Sequence, residues 1–393
     1  MLPLRRRQRS LLNSIAGAAL MLAAAACGRD GAETPDETAS DDPEPVCVEA
    51  MASDTLDTLT APPTGVGFWV HPTLAFNSLL IVAGADGVVG YNIEDGTEAA
   101  RFGGAHARGL GVSYIGRGPD ARGVLAIYDE DASAVRLIAV DNISRAFTGI
   151  DGAIALRGNV RGICFGRAAD DETPSLHVIQ KGKLTRYDIS EAQGTITADQ
   201  SIGVSIDDSV SACAVDPVDG RVFLAGNDTI FRLEDDSVSR FSKAPSSGDN
   251  ASAAPMAMLT WRTADGEANG DEGNEGAARG ALALFDNEAG VMRLLDRESG
   301  RTVGVVAIDG TDQLDGVSSA SALGAASANL GGLYRNGALA FATAGDPASL
   351  RLAPMSSFFN ALSWPLGDAF NPRGDLPETE DDALAINPVF SPQ

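Results

Sequence analysis

The sequence predicts an all-β fold, a six-bladed β-propeller with about four antiparallel strands in each blade. Two apolar strands joined by a short Gly, Asp or Asn turn occur six times along the chain, and this pattern is typical of a β-hairpin. Another short apolar strand stands upstream of each hairpin. The unit recurs about every 45 to 60 residues, which is the spacing of propeller blades. Because no blade can bury its faces alone, the six must close into a ring to form a core.

The predicted strands follow one another in a constant order. The six hairpins are predicted at residues 79–95, 124–141, 176–190, 222–236, 281–297 and 338–355. The strands that precede them are predicted at residues 67–71, 110–114, 162–165, 212–215, 256–261 and 319–323. Aromatic residues are few, glycine is abundant, and no long amphipathic helical pattern is present, which all favour a β structure rich in turns.

Residues 1–26 are predicted to be a lipoprotein signal peptide. Four arginines precede an apolar segment, Leu11–Ala26, which is shorter than the roughly 20 residues that cross a bilayer. Four alanines, residues 23–26, lead directly into Cys27, as in a bacterial lipobox, so Cys27 is expected to carry the lipid anchor. Ordinary cleavage near Ala26 is the alternative. The predicted location is the bacterial cell envelope, at the outer membrane or facing the periplasm, and the lipid is the only expected contact with the membrane.

The rest of the chain divides into three predicted parts. Residues 27–61 are rich in Asp, Glu, Thr, Ala and Pro and are predicted to be a disordered acidic tether. Residues 62–370 form the propeller, and residues 371–393 a tail that either crosses a face of the ring or stays disordered. Cys164 and Cys213 are interpreted as small buried thiols, and no disulfide is assigned from spacing.

Composition excludes one class of partner. The chain has 54 acidic and 29 basic side chains and a formal charge of -25. Such a surface repels nucleic acid and anionic lipid, so neither is an expected partner. It would also repel a polyphosphate unless bound cations lay between them. We expect a monomer.

Few motifs carry chemistry. None of the three histidines stands near a Ser or Cys in the predicted strands, which argues against a hydrolytic triad and against zinc. The segment Asp309–Gly316 places three carboxylates and two glycines within eight residues. Carboxylates on tight turns can converge on a hard cation such as calcium. A turn held by its own Asx hydrogen bonds is the alternative.

Several segments resemble the bacterial β-propeller phytases, also called 3-phytases. The resemblance covers roughly residues 62–355, and the order and spacing of the six blades match. It is strongest in the run Gly-Phe-Trp-Val-His-Pro-Thr and the hairpin after it, and continues through the other matching segments, at residues 67–73, 79–92, 161–165, 184–189, 211–226 and 309–316.

The resemblance implies a calcium-dependent phosphomonoesterase that acts on inositol phosphates. By position it assigns calcium to Asp216, Asp228, Asp309 and Asp315, and phosphate to Arg161 and Lys181. Clustered calcium ions would neutralise a polyanion and activate a water molecule for attack on phosphorus. The chain departs from the family at most ligand positions, namely Gly65, Val66, Gly111, Asp129, Glu130, Ser211, Gly226, Asn227, Met256, Gln313 and Ser318. Loss of most ligands abolishes a calcium site.

Two functions therefore follow from the sequence. The first is the phosphomonoesterase of a divergent phytase-like lipoprotein, with calcium as cofactor and with catalytic residues that the sequence does not identify. The second is a non-catalytic, envelope-anchored propeller that binds a protein or a small ligand at the same end of the ring. Fold alone does not decide between them, because propellers support many functions.

Overall fold

The structure, a computed structural model, describes residues 45–56, 59, 62–234, 236–245, 253–262, 278–311, 314–343 and 348–374. The predicted signal peptide, Cys27, residues 28–44 of the predicted tether and residues 375–393 lie outside the described residues. The described chain forms six small sheets, which confirms the predicted six-bladed β-propeller.

Blades 1 to 3 come first along the chain. Blade 1 contains β3 (Gly65–Trp69), β4 (Leu79–Gly84), β5 (Gly87–Asn92) and β6 (Glu98–Phe102). Blade 2 contains β7 (Ala107–Ile115), β8 (Arg122–Asp129), β9 (Ala134–Val140) and two short strands that both pair with β9, β10 (Phe147–Gly149) and β11 (Ile154–Ala155). Blade 3 contains β12 (Val160–Gly166), β13 (Ser175–Gln180), β14 (Lys183–Ala192) and β15 (Thr195–Ser205).

Blades 4 to 6 complete the ring. Blade 4 contains β16 (Ala212–Val215), β17 (Val222–Ala225), β18 (Thr229–Glu234) and β19 (Ser237–Lys243). Blade 5 contains β20 (Met256–Arg262), β21 (Ala278–Asp286), β22 (Val291–Asp296) and β23 (Thr302–Asp309). Blade 6 contains β24 (Ala322–Ala326), β25 (Ala338–Thr343) and β26 (Ser349–Pro354). Three 3-10 turns, at Ala75–Asn77, Gly118–Asp120 and Gly332–Tyr334, and the helix α1 (Met355–Ala361) are the described helical elements.

The N-terminal part of the chain belongs to the ring. Strand β1 (Cys47–Met51) pairs in parallel with β23, and β2 (Asp54–Leu56) pairs antiparallel with β26 as the fourth strand of blade 6. The predicted tether boundary at residue 61 is therefore wrong. Within the acidic segment, Val48 and Ala50 alternate with polar residues and turn towards blade 5, where Ala50 is buried. The backbone of both strands finds partners only after the ring has formed, which local composition does not reveal.

Inner strands approach one another closely around the axis of the ring. A Cβ on Gly111 would lie 2.3 Å from the Cβ of Phe165 in the next blade, and one on Gly324 would lie 2.7 Å from the main-chain oxygen of Val66. Only glycine permits such contact between neighbouring strands. These close contacts set the width of the central channel, and the apolar core lies between the blades around it.

After α1 the chain crosses one face of the ring, and residues 364–374 are called the strap below. Asp368 and Arg262 of blade 5 exchange main-chain hydrogen bonds of 2.9 and 3.1 Å, and the Phe370 N–H donates to the oxygen of Ser327 in blade 6. Arg373 then reaches blades 1 and 2. Residues 371–374, at the start of the predicted tail, thus lie across a face of the ring, which is one of the two alternatives for that tail. No helix in these described ranges has the length and apolar character needed to cross a membrane.

Candidate functional site

The two faces of the ring differ in the loops that form them. All six inner strands, β3, β7, β12, β16, β20 and β24, run in the same direction along the channel. We call the face where they begin the upper face and the face where they end, which carries the strap, the lower face. The turns β4–β5, β8–β9, β13–β14, β17–β18, β21–β22 and β25–β26 lie on the upper face.

Arg161 and Lys181, the predicted phosphate ligands, come together on the upper face. Arg161 begins the inner strand of blade 3 and donates to the main-chain oxygen of Asp208. Lys181 lies in the β13–β14 turn, and its Nζ is 3.5 Å from the Asp208 carboxylate. The sequence therefore places two cations at one rim position, although Asp208 already neutralises part of their charge.

Three of the predicted calcium ligands lie on the same face but on different loops. Asp228, in the β17–β18 turn, accepts a hydrogen bond of 3.0 Å from the Thr229 hydroxyl. Asp309 ends β23, and its main-chain oxygen accepts the Ala52 N–H at 2.9 Å. Asp315 lies on the following loop, where its main-chain oxygen accepts from Arg351. Each has a local role in a turn or at a strand end.

Asp216, the fourth predicted calcium ligand, lies on the opposite, lower face. It follows the inner strand of blade 4, is fully buried, and accepts the Val218 N–H at 2.9 Å. Its other oxygen is 2.8 Å from Nε of Arg297 in blade 5. Burial raises the pKa of the Asp216 carboxyl to about 6, and the hydrogen bond from Val218 and the charge of Arg297 partly oppose this change. At neutral pH the carboxylate holds two blades together, remote from the other three predicted ligands.

Upper-face carboxylates are also bound within their own turns. Asp129 accepts main-chain N–H groups of Asp131 and Ala132 and pairs with Arg136 at 2.6 Å. Asp286 binds its turn in the same way and pairs with Arg293. In the part of the chain that the structure describes, no three His, Cys, Asp or Glu side chains are grouped closely enough to hold a metal ion.

The central channel forms a cavity of about 210 Å³. Its walls are the six inner strands, and Phe370 and Pro372 of the strap line its lower end. Above the strap, the described residues that line the channel belong to the inner strands. Each inner strand is an edge strand of its sheet. Some of its channel-side backbone groups are bound by neighbouring residues, as in the Thr260 N–H that donates to the Ser327 hydroxyl.

A single charged side chain, Arg167, lines this cavity among the described residues. It follows the inner strand of blade 3 and is only 5% exposed. Its Nη1 donates to the oxygens of Ala168 and Ala169, and its Nη2 donates to the oxygen of Arg373 at 2.8 Å. Its Nε has no hydrogen-bond partner among the described residues. Burial lowers the pKa of Arg167 from its usual value.

Arg373 lies directly behind this end of the cavity. Its guanidinium donates to the main-chain oxygens of Val70 and Ala121 and to Oδ1 of Asn142. It also lies 4.6 Å from the ring centre of Tyr114, a favourable cation–π distance. The Tyr114 hydroxyl accepts the Val70 N–H at 2.7 Å, and burial raises its pKa. Arg167, Arg373 and Tyr114 thus form the closed end of the channel.

Cys164 and Cys213 form a disulfide between the inner strands of blades 3 and 4. Their interpretation as separate thiols is therefore wrong. They lie 49 residues apart in sequence, and their Cα atoms are 5.7 Å apart only because neighbouring inner strands meet at the axis. Both line the channel, so the bond fixes part of its wall.

Sequence reasoning missed the closed end of the channel entirely. Arg167 stands between a glycine and two alanines, and Arg373 stands in a Pro-Arg-Gly turn of the predicted tail. Neither context differs from that of a solvated surface arginine. The sequence offers one signal for Arg167. Gly166 comes directly after a predicted inner strand, and a glycine there lets the next side chain point into the channel.

Comparison with known proteins identifies no family. No family model matches the sequence, and no curated protein matches it. Among solved structures, a functionally unknown protein from Desulfotomaculum acetoxidans has 13% identity and a TM-score of 0.42, covering 62% of this chain and 71% of its own. An auxiliary nutrient binding protein from Bacteroides thetaiotaomicron has 10% identity and a TM-score of 0.46, covering 74% and 69%.

The dihydro-heme d1 dehydrogenase NirN has 15% identity and a TM-score of 0.37, covering 63% of this chain and 48% of its own. These values are too low to relate any activity to this chain. The fold assignment therefore depends on the sheet topology of the chain itself: six blades around a channel that is closed at one end.

Proposed function

We propose that this chain is a non-catalytic, envelope-anchored propeller that binds a small ligand in its central channel. The observation that carries the proposal is the cavity of about 210 Å³, which the inner strands surround and the strap lines at its lower end. Ligand sites are concave and contain a few convergent polar groups, which here are at the closed end. The anchor is the lipid on Cys27, and the protein acts as a monomer.

The experiment is a small-molecule fragment screen by ligand-observed NMR on the full chain in mild detergent. Ala325 is half-buried and lines the channel, so Ala325→Phe should fill it and abolish binding of true channel ligands. Ala192 is exposed at the end of β14, so Ala192→Phe serves as the control with the same added volume. A screen in which no fragment loses binding specifically in Ala325→Phe would refute channel binding.

A calcium-dependent phosphomonoesterase is the second candidate, in line with the resemblance to β-propeller phytases. The observation that favours it is the meeting of Arg161 and Lys181 beside Asp208 on the upper face, because two adjacent cations suit a phosphate. In this function Asp228, Asp309 and Asp315 would supply calcium ligands from the same face. Asp216 would not take part, since it is buried on the lower face.

Phosphate release from phytate and from 4-nitrophenyl phosphate, with calcium and with chelator, tests this second function. Lys181→Ala should abolish calcium-dependent release, while Lys183→Ala, a change at an exposed lysine two residues away, should leave it intact. Absence of calcium-dependent release from both substrates rejects the phosphomonoesterase and leaves channel binding unaffected.

The anchor is tested separately. Cells that express the full chain with labelled palmitate should incorporate the label, and Cys27→Ala should not. Label in both variants, or in neither, would contradict lipidation at Cys27.

A further inference from the structure

Two buried guanidinium groups at the lower end of the channel have no carboxylate partner among the described residues. Arg167 and Arg373 donate only to main-chain oxygens and to the Asn142 amide oxygen. The carboxylates of Asp171 and Glu172 act on Arg167 electrostatically but form no ion pair with it. Buried charges without a counter-ion are costly, and buried charges in proteins are normally paired.

The missing counter-charge is unusual for this chain. The protein has 54 acidic side chains, but none lines the cavity among the described residues, and the charged lining residue is Arg167. The channel is therefore a positive site within a strongly negative protein. Such a site favours an anion over a neutral or cationic molecule of the same size.

The unassigned N–H groups of Arg167 have a geometry that suits a carboxylate. Arginine has five N–H groups, and three described hydrogen bonds leave Nε–H and one N–H of Nη2 unassigned. A carboxylate accepts this adjacent pair in a bidentate arrangement. The Tyr114 hydroxyl accepts one hydrogen bond, from Val70, and has its own proton available to donate.

The volume of the cavity indicates an organic ligand. A water molecule occupies roughly 30 Å³ in the liquid, so about 210 Å³ exceeds the space that a single inorganic ion needs. The walls above Arg167 combine inner-strand backbone with apolar side chains, including Phe68, Phe165 and Met258. A short carbon chain would contact these side chains while its charged group reaches the closed end.

We propose that the closed end of the channel binds a small organic carboxylate, with its carboxylate group on Arg167 and Tyr114 and its carbon chain directed upwards. This inference rests on the proposed function, because it names the ligand class of the same channel. Arg373 holds Arg167 in place through its main-chain oxygen and adds positive charge behind the site.

The test compares butyrate, 1-butanol and butylammonium, which share a carbon chain and differ in charge. Binding to the full chain is measured by isothermal titration calorimetry in buffer free of chloride and of other carboxylates. We expect butyrate to bind at least about tenfold more tightly than 1-butanol, because a charge-assisted bidentate contact is stronger than a neutral one. Butylammonium should not bind.

Two variants and a control locate the site. Arg167→Gln should remove the advantage of butyrate over 1-butanol, and Tyr114→Phe, which deletes one hydroxyl group, should reduce it about threefold or more. Arg122 lies on the same face and is paired with Glu191 outside the cavity, so Arg122→Gln is the matched control and should leave butyrate affinity unchanged. Should Arg167→Gln fail to fold, Tyr114→Phe still decides the result.

The outcomes separate the two proposals. Equal binding of butyrate and 1-butanol, with both lost in Ala325→Phe, would overturn the carboxylate inference and keep channel binding. Binding of chloride in a separate titration, with no binding of butyrate, would mean an inorganic anion and would also overturn it. No binding of these probes, together with a negative fragment screen, would reject both.

Discussion

Two ion pairs on opposite faces of the ring differ in burial, because the pair of Lys181 and Asp208 on the upper face is exposed and the pair of Arg297 and Asp216 on the lower face is buried. In the upper pair Lys181 and Asp208 are 71% and 65% exposed, and in the lower pair Arg297 and Asp216 are 6% and 0% exposed. Exposed pairs contribute about 0 to 1 kcal/mol, while removing one partner of a buried pair costs about 3 to 5 kcal/mol. The buried lower pair therefore contributes to holding blades 4 and 5 together, whereas the exposed upper pair contributes little to stability.

The disulfide in the channel wall joins blades 3 and 4 and should have the largest effect on stability. Replacing both Cys164 and Cys213 with alanine should lower the free energy of unfolding by about 4 kcal/mol, because a closed loop of this length loses that much entropy in the unfolded chain. Urea denaturation measures the change. Reductant should shift the wild type towards the double variant. An unchanged urea midpoint of the wild type in reductant would contradict this role.

The buried pair on the lower face gives the next effect. Asp216→Ala should lower the free energy of unfolding by about 3 kcal/mol, because it removes one of the two blade 4 carboxylates that pair with the buried Arg297 guanidinium and leaves only Asp219. Asp228→Ala, at an exposed upper-face carboxylate, should change it by less than about 0.5 kcal/mol in the absence of calcium. Both are measured by urea denaturation in chelator. A loss in Asp216→Ala that occurs only with calcium present would instead make Asp216 a calcium ligand.

The difference between the faces explains what the sequence predicts and what it does not. Hairpins are local: their alternation and turn residues lie within about 15 residues of one another, so all six hairpins are predicted at their observed positions. The upper-face meeting of Arg161 and Lys181 is also local, because it lies within one blade and its next turn.

Features of the lower face and of ring closure depend on contacts across the whole chain. Strand β1 pairs with a strand some 250 residues away, and Arg167 contacts Arg373 at a separation of 206 residues. No local pattern specifies such partners. Asp216 is an example. It is assigned to calcium because its position in the sequence matches that of a ligand, but its burial against Arg297 depends on how blades 4 and 5 pack.

A buried histidine between the two faces should make stability depend on pH. His177 in β13 is 3% exposed, and its Nδ1 has no hydrogen-bond partner among the described side chains and backbone. Burial, with the nearby Arg186 charge, lowers the pKa of His177 to about 4. Because its folded pKa lies below the unfolded value of about 6.5, the stabilisation is present above pH 6.5 and is lost as the pH falls towards 4.

At pH 5 the loss in the free energy of unfolding should reach about 2 kcal/mol. This follows because pH 5 lies about 1.5 units below the unfolded pKa and each unit is worth about 1.36 kcal/mol. Urea denaturation of the wild type and of His177→Gln at pH 7.5 and at pH 5 measures it. The difference between the two proteins should shrink by that amount at the lower pH. The raised pKa of Asp216 acts in the opposite direction, but it is common to both proteins and cancels in the comparison. A difference that stays constant with pH would show that His177 does not titrate in this range.

The smallest effect on stability is expected for the exposed ion pair at the upper rim. Its size tests whether exposed ion pairs contribute less to stability than buried ones in this protein. A double-mutant cycle on Lys181 and Asp208 should give a coupling of less than about 0.5 kcal/mol, because both side chains are mostly exposed. In 1 M salt the coupling should vanish, since the screening length falls to about 3 Å.

Added phosphate supplies the sharper comparison: if Arg161 and Lys181 bind phosphate, it should stabilise the wild type and Lys183→Ala but not Lys181→Ala. Equal stabilisation of all three would place any phosphate elsewhere, and the upper rim would then be a solvated surface whose charges are balanced locally.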